Sequence, residues 1–294
     1  MGWKFGIALA ICSWAASAAF SQVVRFETSL GEFDMVLNPT TNPLLFQHVD
    51  NMLQYVEELR YQGSWINRAD TGFVLQMGGF FSHTRRPPPT VDSTRPVFAF
   101  DPIQGEPAAT IDGLSNTVGT VSLALSGLPT GGTNQDSGSS SFFINLTSNT
   151  FLDANFTVFA AIPDMTVVNQ IMALTTIDRT TDDMFGADPG NLGFTDVPVM
   201  DNGFQVFIKR AFVISDTMAI ARATAGVESI VAQSAAMAAS ATESLATSTM
   251  AASDGGVASS SLAVSTVVPE PSSIAMALVA LMATARLASR RRAR

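Results

Sequence analysis

The stretch SWINRADTGFVLQMGGF, residues 64–80, sets one guanidinium, Arg68, between two apolar strings. Trp65, Ile66, Phe73 and Leu75 read as core, and Gln76 is a lone amide on the strand that follows. An arginine among apolar neighbours is uncommon unless it is ion-paired or has a task. On pattern alone, Arg68 reads first as a salt-bridged edge residue, and otherwise as a residue with a task.

Other constellations offer less. QDSGS, residues 135–139, looks like the surroundings of a serine-protease nucleophile at Ser137, and such a nucleophile needs a histidine base. The chain has two histidines. His48 falls on a predicted amphipathic helix and His83 beside an Arg/Pro-rich loop, neither in the expected context, so the segment reads better as a turn. Asp182, Asp183, Asp188 and Asp196 could attract Ca²⁺, but their spacing fits no EF-hand loop, and a solvated loop is the simpler reading. No metal site and no cofactor is expected. The single cysteine, Cys12, lies in the N-terminal apolar run, which removes disulfides, thiol nucleophiles and cysteine metal sites from the rest of the chain.

The elements that must position Arg68 lie between residues 22 and 216. There nine Lys and Arg face 21 Asp and Glu, a net charge of −12 that repels phosphate backbones and argues against nucleic acid as a partner. VVRFETSLGEFDMVLN reads as a hairpin turning at Leu30-Gly31. NPLLFQHVDNMLQYVEELR carries Pro43 at its start and Leu44, Leu45, Val49, Met52, Leu53 and Val56 at helical spacing. Short apolar strands follow at GTVSLAL, SSFFINL and FTVFAAI, a second helix at MTVVNQIMAL and a last strand at FQVFIKRAFVIS. Many strands and few helices indicate a mainly β fold, an antiparallel barrel or sandwich capped by two helices.

The two ends have a different character. Residues 1–21 combine Lys4, the run FGIALAICSWAASAA and small-residue cleavage sites, as an export signal does. Residues 217–266 are rich in Ala, Ser and Thr: the first half favours helix, and the second, with Gly255-Gly256, reads as a flexible linker. Residues 267–294 hold Pro269-Glu270-Pro271, an apolar stretch from Ile274 to about Ala285, and a basic cluster at Arg290–Arg294. By loop-charge bias those arginines face the cytoplasm. The three-part tail resembles the PEP-CTERM sorting signal of Gram-negative bacteria, which implies an exosortase-type sorting enzyme as a partner. The expected course is export, a membrane contact through the tail, then the periplasm, the cell surface or the extracellular matrix.

Three blocks of the central region, in order, resemble the cyclophilin-type peptidyl-prolyl isomerases. RADTGFVLQMGGF is similar to the family's stretch of Arg, Gly-Phe, Gln and a Gly-rich turn. GLSNTVGTVSLAL matches its Gly-Leu-Ser-Asn-Thr and Gly-Thr block, and SSSFFINLTSNTFLDANFTVFAAI its Phe-Phe-Ile, Leu-Asp and Val-Phe blocks. The resemblance covers nearly all of residues 23–214. It implies a closed eight-stranded antiparallel barrel with a helix at each end and an active groove on the outer face, acting on proline-containing polypeptides; a monomer is expected.

The chemistry so implied needs no base, nucleophile or metal. Rotation about an X–Pro amide faces a barrier of about 18–20 kcal/mol because of C–N resonance. Twisting the bond leaves a lone pair on the prolyl nitrogen, and a rigid donor aimed at it binds the twisted state better than the planar one. By resemblance Arg68 is that donor, and Gln76 orients it and the substrate. Phe73, Val74, Phe143 and Leu152 form the proline pocket, with Ala124 and Leu125 where substrate main chain docks and Phe151 and Phe156 at the rim. The chain departs from the family at Asn67, Met77, Ser141, Phe151 and Phe156, where His, Gly, Gln, Trp and His or Tyr are usual. These changes imply a weaker or more selective isomerase, poorly sensitive to cyclosporin. A groove that holds proline segments without turnover is the alternative.

Overall fold

A computed structural model of the chain describes residues 22–82, 94–106, 113–127, 132–179 and 192–253. The export segment, the Pro87–Pro89 run, Asp182, Asp183 and Asp188, and the Pro-Glu-Pro tail lie outside the described residues.

One eight-stranded antiparallel sheet organises the molecule. In chain order its strands are β1 (Val23–Thr28), β2 (Glu32–Leu37), β3 (Arg68–Ala69), β4 (Val74–Met77), β5 (Thr120–Leu123), β6 (Phe142–Asn145), β7 (Val158–Ala161) and β8 (Ile208–Val213). Their order across the sheet is β8-β1-β2-β7-β5-β6-β4-β3. The ladder does not close on itself, which corrects the expectation of a fully closed barrel. Its edges meet instead through backbone bonds from the segment before β3: Gly63 N to Ile208 O at 2.8 Å, Ile208 N to Ser64 O at 2.7 Å and Ile66 N to Val206 O at 2.9 Å. β3 is only two residues long, so the irregular segment before it covers the seam.

The strands alternate as their side-chain period of two requires. Phe142 and Ile144 of β6, and Leu75 and Met77 of β4, join the interior with Phe26, Phe33 and Tyr61. There Phe26 stacks on Phe33 at 5.2 Å, and the Tyr61 and Phe142 rings meet edge-on at 5.8 Å. Helix α1 (Phe46–Glu57) follows a 3-10 turn at Pro43–Leu45 whose cap is Asn42, its side chain accepting from Leu44 N at 3.0 Å. It adds Met52, Tyr55 and Val56 to the core, and α2 (Thr166–Met172) adds Val168 and Ile171. Leu44 faces solvent, because the turn that precedes α1 rotates it off the buried stripe.

The chain does not leave the barrel at Asp216. Helix α3 runs from Thr217 to Ser253, and Ile220, Ala223, Val227, Ile230 and Val231 pack with Val23, Val36 and Ala161. The beginning of the stretch read as a linker is therefore part of the folded body. Among the described residues no helix is long and apolar enough to cross a membrane.

Candidate active site

The alternation that fills the core also builds the site. Val74 and Gln76 on β4 and Phe143 on β6 point away from the interior, and Phe143 pairs with Gln76 across the ladder. Arg68 on β3 sits opposite Gln76 on its other side. Gly78 ends β4 at φ +80, where a Cβ would come within 2.7 Å of the Ser140 carbonyl; only glycine lets β4 turn here so close to the β6 approach.

Phe73, Val74, Phe143, Leu152 and Phe156 form one apolar cluster with Ala124 and Leu125 against it. All of the expected pocket residues thus meet on one outer face. Phe143 and Phe156 meet edge-on at 5.6 Å, and Phe151 stacks on Phe73 at 6.0 Å while 64% exposed, making it the rim. Leu152 comes from a 3-10 turn at Thr150–Leu152. The Ala124 N–H donates to Ser141 O at 2.8 Å, so that backbone donor is already engaged with β6.

Arg68 is ion-paired, as the first reading of its sequence context expects. Its Nη2 donates to Asp70 Oδ2 at 2.5 Å, and its guanidinium carbon lies 5.3 Å from the Phe73 ring centre. The side chain is only 3% exposed, while that of Asp70 is 29% exposed. The arginine is held between a carboxylate and the wall of the apolar cluster. Asp70 was not among the expected site residues; an acid two positions after Arg68 on a short strand was the available signal.

Ser141 stands where a longer amide is usual, yet it touches Gln76: Gln76 Nε2 donates to Ser141 Oγ at 3.3 Å, and Ser141 Oγ to Met77 O at 3.4 Å. Both bonds are long, so the amide is steered more than clamped. Asn67 is buried and donates to Gly193 O at 2.9 Å, serving the loop behind the site rather than the groove.

A second layer of amides backs the pocket. Asn149 donates to Phe73 O at 3.1 Å and to Asn145 Oδ1 at 2.9 Å, and Asn145 donates to Asn116 Oδ1 at 3.1 Å. Asp153, beside Leu152, accepts from Asn116 N at 2.7 Å, from Asn116 Nδ2 at 2.9 Å and from the Ser115 hydroxyl. Sequence reading missed this network, because buried asparagines cannot be told from loop asparagines by pattern.

Among the described residues Ser137 is bonded to no histidine, and His83 lies outside them. Ser137 Oγ donates to Asn134 O at 2.6 Å and accepts from Ser126 N at 2.7 Å, so it ties a turn together. His48 is buried on α1 beside Phe159. Among the described residues no cluster of three metal-ligating side chains occurs.

The chain belongs to the cyclophilin-type peptidyl-prolyl isomerases. The family described as cyclophilin type peptidyl-prolyl cis-trans isomerase/CLD matches residues 23–185. Peptidyl-prolyl cis-trans isomerase A of Dickeya dadantii is 32% identical over 147 residues, 50% of this chain and 66% of its own length. An Acinetobacter baylyi peptidyl-prolyl cis-trans isomerase is 30% identical over 163 residues, covering 53% of this chain and 75% of its own. Peptidyl-prolyl cis-trans isomerase B of Escherichia coli is 31% identical over 163 residues, 52% and 86% of the two chains. The crystal structure of a Cryptosporidium parvum cyclophilin type isomerase aligns with 67% of this chain and 99% of that one, at 16% identity and a TM-score of 0.42. The enzyme class that goes with the family is peptidyl-prolyl cis-trans isomerase.

Proposed function

We propose that the chain isomerises X–Pro bonds of exported or surface proteins, with Arg68 donating to the prolyl nitrogen of the twisted amide. The observation that carries this reading is the meeting of a carboxylate-held guanidinium with one apolar cluster made of Phe73, Val74, Phe143, Leu152 and Phe156. The cluster takes the proline ring, Gln76 steers the flanking carbonyl, and Arg68 stabilises the lone pair that appears on twisting.

The burial of Arg68 favours a second reading. A guanidinium already engaged by Asp70 could leave the groove able to hold proline segments without turning them over. An exchange measurement by NMR, or a protease-coupled assay, on an Ala-Pro peptide separates the two. Catalysis predicts acceleration over the uncatalysed relaxation of roughly 10–100 s. Peptide binding without acceleration would leave the groove as a binding module.

For the placement of the protein we propose export through residues 1–21 and retention through residues 267–294. An exosortase-type enzyme then cuts near the Pro-Glu-Pro box and passes the domain to the envelope, the cell surface or the matrix. The composition of the two ends supports this.

A further inference from the structure

We propose that helix α3 is a positioning element of the groove, acting through Ser234. The proposal rests on the isomerase reading of the groove. It concerns a part of the chain beyond residues 23–185, the region shared with the family.

The helix is seated closely. Its stripe Ile220, Ala223, Val227 and Ile230 recurs at alternating spacings of three and four, which keeps one face on the barrel. Gly119 holds φ +83, and a Cβ there would come within 3.0 Å of Ile230 Cδ1; Gly226 approaches Pro163 so closely that a Cβ would lie 2.8 Å from the Pro163 Cβ. The next residue of the stripe is Ser234, fully buried, whose hydroxyl donates to the Ser115 carbonyl at 2.5 Å.

That carbonyl belongs to the loop that fixes the pocket. Ser115 and Asn116 both donate to the Asp153 carboxylate, and Asp153 follows the pocket residue Leu152 directly. The Asn116 carbonyl accepts from Asn149 N at 2.8 Å, and the Asn149 side chain donates to Phe73 O at 3.1 Å. A chain of buried and part-buried hydrogen bonds thus runs from α3 to two walls of the proline pocket. Ser234 is a positioning residue: it sets the Ser115–Asn116 loop and, through Asp153 and Asn149, the spacing of Leu152 and Phe73.

The test uses the full chain with Ser234→Ala and Ser234→Thr. Loss of one hydrogen bond of ordinary strength corresponds to about a five-fold effect. Ser234→Ala should raise KM for an Ala-Pro peptide about five-fold at nearly unchanged kcat, and Ser234→Thr, which keeps the hydroxyl, should restore it. A clasp without influence on the groove would lower Tm and leave KM alone, and that result overturns the proposal. Amide hydrogen exchange at Asn116 and Asp153 provides a readout independent of activity. Faster exchange at both in Ser234→Ala is expected even if the wild-type chain proves inactive, and unchanged exchange overturns the proposal in either case.

Discussion

At Arg68 two physical demands meet. A guanidinium in an apolar setting needs a counter-charge, and a transition-state donor needs to be fixed before the substrate arrives. Asp70 supplies the counter-charge with a bond of 2.5 Å, and on the proposed mechanism the same bond fixes the donor. Removing it takes that counter-charge from the Arg68 guanidinium. Asp70→Ala is expected to lower kcat/KM about ten-fold, within what a charged hydrogen bond carries, while Arg68 stays in place. Steady-state kinetics check this. A rise in turnover would instead identify Asp70 as a lock on the donor. The sequence made Arg68 and the pocket readable because outward residues on β4 and β6 keep the two-residue period and the aromatic types are distinctive. Asp70 and Ser141 were harder to assign: the acid resembles any loop carboxylate, and the hydroxyl replaces a longer side chain in a contact only geometry reveals.

Among the elements, the sheet and the first two helices were legible, since each shows its own hydrophobic period. The seam was not. It depends on residues 63–66 meeting residues 206–208, a contact with no local signature. Helix α3 was half legible: its Ala-rich composition indicated helix, but composition hid the stripe at Ile220, Ala223, Val227 and Ile230 that docks it. Helix α1 carries a consequence for stability. His48 is buried, its Nδ1 has no hydrogen-bond partner, and desolvation lowers its pKa to about 4. The unfolded chain takes up the proton near pH 6.5, and the folded chain resists until about pH 4. The contribution is therefore present above pH 6.5 and is lost as pH falls from there towards 4. The loss approaches roughly 3 kcal/mol at the low end. Thermal unfolding of the wild type and His48→Gln across that range checks it: the wild type should lose stability more steeply, and parallel profiles would contradict the assignment.

For the whole molecule, the barrel and α3 form one body, and 37 residues of continuous helix reach about 55 Å at 1.5 Å per residue. On the proposed attachment, a spacer that begins as a docked helix sets the groove at a more defined distance than a fully flexible linker would. The proposed sorting makes a direct prediction about the mature chain. Mass spectrometry of protein recovered from cells should find a C-terminus near Pro269 and an N-terminus near Ala19 or Gln22. An intact Arg294 in the membrane fraction would indicate a plain anchor, and a full-length chain in the cytoplasm would defeat the proposal.

The central claim is that a fixed arginine stabilises the twisted prolyl amide. NMR exchange on an Ala-Pro peptide, comparing wild type with Arg68→Ala, reports turnover and affinity in one experiment. Loss of a single transition-state donor is expected to lower kcat/KM by about 10²–10³-fold. Peptide affinity should change little, because Phe73, Val74, Phe143 and Leu152 remain in their cluster. An Arg68→Ala chain that turns the peptide over at the wild-type rate would contradict the account.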